Sequence, residues 1–182
     1  MIRIGIEDPG SSRILDPLRA RGLRPVGVPV DAAGLDVPAL HRLDVPAVLV
    51  TPAHQYPTGV VLAPERLVAL LDWARRTGGL VVEDDDDAEF RYDRDPVGCL
   101  QGLDPARVVH IGSTSKALAP GLRLGWLAVP AGLRAAAVAG KYAADLGGRC
   151  RSNWPSPSSS PPAGTTGTCA GPAGCTGSGA TP

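Results

Sequence analysis

The chain has 182 residues, enough for one domain with a substantial core. Lys+Arg and Asp+Glu balance at 18 each, so the zero formal net charge gives this segment no electrostatic drive toward nucleic acid or a membrane surface. The first eight residues lack a signal peptide's apolar core, no apolar run could span a bilayer, and Cys99, Cys150, Cys169 and Cys175 fit no zinc or CxxC spacing; a reducing, cytoplasmic setting is expected.

In chain order, residues 3–7 read as a short strand. Asp8-Pro9-Gly10-Ser11-Ser12 is a turn able to cap a helix over residues 13–21, which Gly22 ends. A strand over 24–30, a loop over 31–34 and a short helix over 37–43 follow. Residues 47–50, Ala-Val-Leu-Val, are a continuous apolar run, the pattern of a strand buried on both faces. It enters a rigid polar loop, Thr51-Pro52-Ala53-His54-Gln55-Tyr56-Pro57-Thr58-Gly59. Residues 64–77 form the strongest helix: Leu67, Val68, Leu70, Leu71 and Ala74 follow the 3.6 period, with Pro64 in the first turn and Gly78-Gly79 past the end. Residues 80–82 are another apolar strand, ending in Glu83-Asp84-Asp85-Asp86-Asp87. Two further strands are expected at 108–111 and 124–129, and an alanine-rich helix at 130–142.

Strands alternating with helices imply an α/β fold with a mainly parallel sheet, whose ligands sit beyond the carboxyl ends of the strands. Three polar loops follow strands, at residues 51–59, 83–89 and 112–116, and would converge on one sheet edge. The last holds Ser113-Thr114-Ser115-Lys116 between two apolar runs. Burial there would lower the amine's pKa and suit Lys116 to attack a carbonyl, while Ser113, Ser115 and Arg123 would suit a phosphate. A solvated polar turn explains the same residues equally well. The acidic run could place a carboxylate against a protonated ring nitrogen; a solvated loop or a divalent-cation site also fits it. His41 and His110 read as structural.

Thr51 to Gly59, Glu83-Asp84-Asp85-Asp86-Asp87-Ala88-Glu89-Phe90-Arg91-Tyr92, and Gly112-Ser113-Thr114-Ser115-Lys116 with Leu122-Arg123-Leu124-Gly125 together resemble the aminotransferase-like domain of MocR-type regulators of the GntR superfamily. Glu7-Asp8-Pro9-Gly10 and Val28-Pro29-Val30-Asp31 fit the same pattern, and the resemblance covers roughly residues 4–146. It implies part of the large domain of a fold type I transferase that uses pyridoxal 5'-phosphate. By that resemblance Lys116 forms the Schiff base with the cofactor, Asp84 pairs with the pyridine nitrogen, and Ser113, Ser115 and Arg123 lie near the phosphate. Tyr56 and the residues to Gly59 line the cofactor's hydroxyl side and the substrate pocket. Asp86 stands where the family usually has a tyrosine approaching the phenolic oxygen, so it is expected to weaken cofactor binding or alter its protonation.

The resemblance further implies an amino acid or amine ligand, a homodimer for the complete protein, and DNA contact only through an N-terminal winged helix that does not precede residue 4. The family's phosphate-binding glycine turn and its substrate-gripping C-terminal domain are also expected to be missing. A domain over residues 1–147 and a low-complexity tail over 148–182 are expected. The tail's Ser, Pro, Gly, Thr, Ala and Cys composition is what a GC-rich gene gives when read out of frame, so a frameshift near residues 148–153 is expected. Two alternatives stay open: a piece of a free-standing class I/II aminotransferase, and a non-functional remnant.

Overall fold

The computed structural model describes residues 1–85, 99–116, 121 and 124–145. Its first compact unit, Met1–Ala131, is built on a seven-stranded sheet. The strands are β1 (Ile2–Asp8), β2 (Leu23–Asp31), β3 (Gly34–Leu35), β4 (Ala47–Val50), β5 (Leu80–Asp85), β6 (Val108–Ser113) and β7 (Gly125–Ala128). Their order is β3-β2-β1-β4-β5-β6-β7. Neighbours from β2 through β6 are parallel, while β3 and β7 are antiparallel edges. The α/β, mainly parallel expectation therefore holds.

The helices of this unit are α1 (Leu15–Ala20), α2 (Val37–His41), α3 (Pro64–Thr77) and α4 (Leu100–Leu103). From β1 the chain first moves outward to β2, then returns past β1 to β4 and continues to β5 and β6. With right-handed crossovers, that reversal puts α1 on one face of the sheet and α2, α3 and α4 on the other. The α2–α4 face carries the main core: Val28, Val48, Val50, Val81 and Val108 from the strands meet Leu40, Leu70, Leu71, Trp73, Ala74 and Leu100 from the helices. Gly5 belongs to this face, because a Cβ there would crowd Val48, Leu40 and Val28. The winding reverses between β1 and β4, where an open α/β sheet leaves a crevice outside its strand ends.

Helix α3 keeps its expected bounds. Pro64 occupies its first turn, Glu65 and the pair Arg75 and Arg76 complement its dipole, and Gly78 ends it in the left-handed region at φ 72°. Its buried face differs from the expected set, since Val68 is 66% exposed and Trp73 is 1% exposed. Arg66 ties α3 to the β2–β3 hairpin, donating to Leu35 O at 2.6 Å and to Asp31 Oδ2 at 2.6 Å.

Several expectations are corrected. The helix over 13–21 shortens to a 3-10 turn, Ser12–Ile14, followed by α1, and Ser11 makes no side-chain cap. Pro17 has no N–H to donate to the preceding turn, so regular α structure starts only where Pro17 falls in its first turn. The loop over 31–34 is a hairpin, with Val30 opposite Leu35 and Asp31 opposite Gly34. β4 is buried on one face only: Val48 and Val50 are buried while Ala47 and Leu49 are half-buried. β5 runs on through Asp85, so Glu83 and Asp84 are strand residues.

The second unit, Gly132–Pro182, is described as far as residue 145. A 3-10 turn, Ala131–Leu133, leads into α5 (Arg134–Asp145), the expected alanine-rich helix. The expected tail over 148–182 lies outside the described residues.

Candidate functional site at the carboxyl edge of the sheet

Strands β1, β4, β5 and β6 present their carboxyl ends to one edge, and the described loops that follow β4 and β6 start from it. Between β1 and β4, at the winding reversal, Glu7 is buried at 9% exposure. Its Oε2 accepts from Thr51 Oγ1 at 2.6 Å, Thr51 N at 3.3 Å and Gln55 Nε2 at 3.3 Å. Burial pushes the Glu7 carboxyl above its ordinary value despite the Thr51 and Gln55 hydrogen bonds, and the charge of Asp84 adds to the rise.

Gln55, 2% exposed, organises the loop. Its Nε2 also donates to Pro9 O at 2.8 Å and Tyr56 O at 2.7 Å, while Oε1 accepts from Thr58 N at 3.2 Å and Thr58 Oγ1 at 2.6 Å. Backbone bonds from Gln55 N to Val60 O and from Gly59 N to Gln55 O close the turn. Gly59 has φ 73°, the left-handed region that glycine reaches without strain. These bonds cross-tie the loop, which holds Tyr56 outward at 65% exposure.

On the neighbouring strands, Asp84 pairs in register with Ile111, and Ser113 lies two residues beyond Ile111. The pleat therefore sets Asp84 and Ser113 on the same sheet face, opposite the face of Glu83 and His110. Both are half-buried. Beyond Ser113 the chain turns: Ser115 N donates to Ser113 Oγ at 3.1 Å, leaving the Ser113 hydroxyl proton to point elsewhere. Thr114 donates through both N and Oγ1 to Leu124 O, at 3.0 and 3.2 Å, fastening the turn to the start of β7. Lys116 follows in that turn and is exposed. Of the two readings left open, burial between strands and a solvated turn, the structure has the turn, because Lys116 lies past the end of β6 and β7 is itself a largely exposed edge strand.

The structure thus brings Asp84, Ser113, Ser115 and Lys116 to one edge on adjacent strands, with Tyr56 on the loop after β4. Asp86 and Arg123 lie outside the described residues. Sequence reasoning had given Gln55 no separate role, and Glu7 only a place in a motif. It also missed a triad on the helix-covered face, where buried Glu83 and His110 meet the exposed Cys99. Burial opposes ionisation of Glu83, but hydrogen bonds from His110, Leu100 N and Cys99 outweigh it and hold the carboxyl below its ordinary range. Contacts with Cys99 and Glu83 push His110 up to about 10.

Comparison with known proteins now gives this edge a context. Along the sequence, the chain is 39% identical over 128 residues to the HTH-type pyridoxine biosynthesis transcriptional regulator PdxR of Corynebacterium glutamicum, covering 70% of this chain and 28% of that protein. It is 35% identical over 126 residues to the probable rhizopine catabolism regulatory protein MocR of Rhizobium meliloti, covering 69% of this chain and 26% of that protein. The chain therefore spans under a third of the length of these curated relatives. In three dimensions it resembles a Pyrococcus horikoshii kynurenine aminotransferase in complex with PMP, with a TM-score of 0.75 and 29% identity over 80% of this chain and 38% of that one. No described helix is long and apolar enough to cross a membrane. The family model for aminotransferase class I and II matches residues 3–170, and the chain belongs to that family.

Proposed function

We propose that this chain is the pyridoxal-phosphate-binding part of the aminotransferase-like domain of a MocR-type regulator. The observation that carries the reading is the donor set on the β5–β6 edge: a carboxylate at Asp84, hydroxyls at Ser113 and Ser115, and an amine at Lys116. This set fits the cofactor's chemistry, with Lys116 for the aldehyde, Asp84 for the ring nitrogen and Ser113 and Ser115 for the phosphate. When bound, the cofactor supplies an aldehyde that condenses with amines and a ring that withdraws electrons.

The chain's own residues have distinct tasks. Asp84 holds a proton on the ring nitrogen by its negative charge. Ser113 would donate its hydroxyl proton to the phosphate while its oxygen accepts from Ser115 N. Gln55 and Glu7 lock the loop that sets Tyr56 at the rim. Lys116 would hold the cofactor through its aldehyde, and its amine, when free of it, could take up or return a proton at the ligand's α-carbon. Arg123, at the phosphate, and Asp86, at the cofactor's phenolic oxygen, complete the proposed set. The identities of 39% and 35% to two named regulators favour a sensor of an amino acid or amine, cytoplasmic and dimeric when complete, reaching DNA through a separate domain. The likeness to kynurenine aminotransferase keeps an enzyme as the second reading.

The test is a titration of the chain with pyridoxal phosphate. A visible absorbance band that saturates, is lost in Lys116→Ala and is weakened in Asp84→Asn supports the reading. The same response in wild type and Lys116→Ala contradicts it.

A further inference from the structure

The triad on the opposite face of β5 is independent of the cofactor reading. Glu83 on β5 pairs in register with His110 on β6, so both side chains project to the face covered by α2–α4. Cys99, directly before α4, closes the triangle and is exposed. Three donors of three kinds converge: Cys99 Sγ lies 3.0 Å from Glu83 Oε2 and 3.2 Å from His110 Nδ1, and His110 Nδ1 lies 3.1 Å from Glu83 Oε2. The other carboxylate oxygen, Oε1, is fixed by Leu100 N at 2.9 Å, and Gln101 N donates to Oε2 at 3.3 Å.

Protons alone serve this triangle poorly. It has three short edges, yet the thiol and the Nδ1 position supply at most two hydrogens to Glu83, Cys99 and His110. One edge is therefore always without a hydrogen of its own. A cation would serve all three at once. A triangle with sides of 3.0, 3.1 and 3.2 Å places each corner about 1.8 Å from its centre. A cation about 1 Å above that plane reaches all three donors at about 2.1 Å, close to zinc's distances to nitrogen and oxygen and a few tenths of an ångström short of its distance to sulfur. Thiolate and imidazole select a borderline-soft ion over magnesium or calcium. Leu100 N, holding Oε1, orients the carboxylate as an outer-shell partner does.

We propose that Glu83, Cys99 and His110 form a site for one zinc-class divalent cation, with a fourth position open to water on the exposed Cys99 side. Binding releases the thiol proton and any proton on Nδ1 to solvent. The ion would clasp β5, β6 and the start of α4, one residue from Asp84 and on the other side of the sheet.

The test uses the full chain, stripped of metal and titrated with Co²⁺ and then Zn²⁺. One Co²⁺ per chain is expected, with a thiolate-to-cobalt charge-transfer band and tetrahedral d–d bands that Zn²⁺ abolishes. Cys99→Ser should weaken binding by more than about 100-fold, beyond what outer-shell changes cost. A variant with Cys150, Cys169 and Cys175 all changed to Ser should bind as the native chain does. A second measurement needs no substitution at the triad: Zn²⁺ should slow iodoacetamide alkylation of Cys99 at least tenfold. Absence of the thiolate band, its survival in Cys99→Ser, its loss in the triple variant, or alkylation indifferent to Zn²⁺ would each overturn the proposal.

Discussion

Replacing Gln55 with leucine tests whether one buried amide holds the loop after β4. Leucine keeps much of the side-chain volume and removes every polar contact. Three of the lost bonds are shorter than 3 Å: Nε2 to Pro9 O at 2.8 Å, Nε2 to Tyr56 O at 2.7 Å, and Thr58 Oγ1 to Oε1 at 2.6 Å. Each contributes about 1 kcal/mol net, and the abandoned carbonyls add a desolvation cost that the new apolar burial partly offsets. The expected loss is about 2–3 kcal/mol, with an unchanged denaturant slope, measured by urea unfolding followed through tryptophan emission. Gln55→Glu should be worse at neutral pH, because it aims a carboxylate at Glu7 and two carbonyls, and should recover toward acid pH as the new carboxyl gains a proton to donate. A Gln55→Leu variant within about 0.5 kcal/mol of wild type would refute the reasoning, since that is the range of an ordinary surface change.

Two further outcomes follow from the same geometry. His110 is raised from 6.5 to about 10, so its contribution to stability is fully present below pH 6.5 and is lost as pH climbs toward 10. Glu83 is held below its ordinary 4.5, so its contribution is present above pH 4.5 and fades as pH falls further. Metal-free wild type should therefore lose stability between about pH 6.5 and 10, and His110→Asn should not share that slope; parallel curves would count against the ion pair. Gly112→Ala should destabilise by about 1–3 kcal/mol in thermal or urea unfolding, because the new Cβ would collide with the Trp126 indole across the β6–β7 pair. Gly112→Ala together with Trp126→Ala should recover most of that loss, and a double variant no better than the single would show the clash is not the cause.

The parts of the fold that were legible in sequence were those with a local signal. Helix α3 shows its period, its Pro64 and its Gly78, and the apolar runs of β4, β5 and β6 announce strands whose carboxyl ends share one edge. What was not legible depends on partners distant along the chain. Gln55 finds Glu7 across a separation of 48 residues, and nothing in the Thr51–Gly59 motif reveals that its amide is buried. Cys99 and His110 fit no ligand spacing, because their meeting is set by the β5–β6 register and by where α4 begins. Burial and exposure of Lys116 were equally compatible with its sequence, because flanking apolar runs suggest burial while the small hydroxyl residues suggest a turn; the turn extends past the strand that precedes it.

Lys116 is central to the proposed binding of pyridoxal phosphate. The most direct measurement is reduction of the chain with borohydride in the presence of the cofactor, followed by peptide mapping. The account predicts that the phosphopyridoxyl mass falls on Lys116 at one group per chain, and that Lys141, on α5, stays unmodified at the same cofactor concentration. Label spread over both lysines, or absent from Lys116, would contradict it.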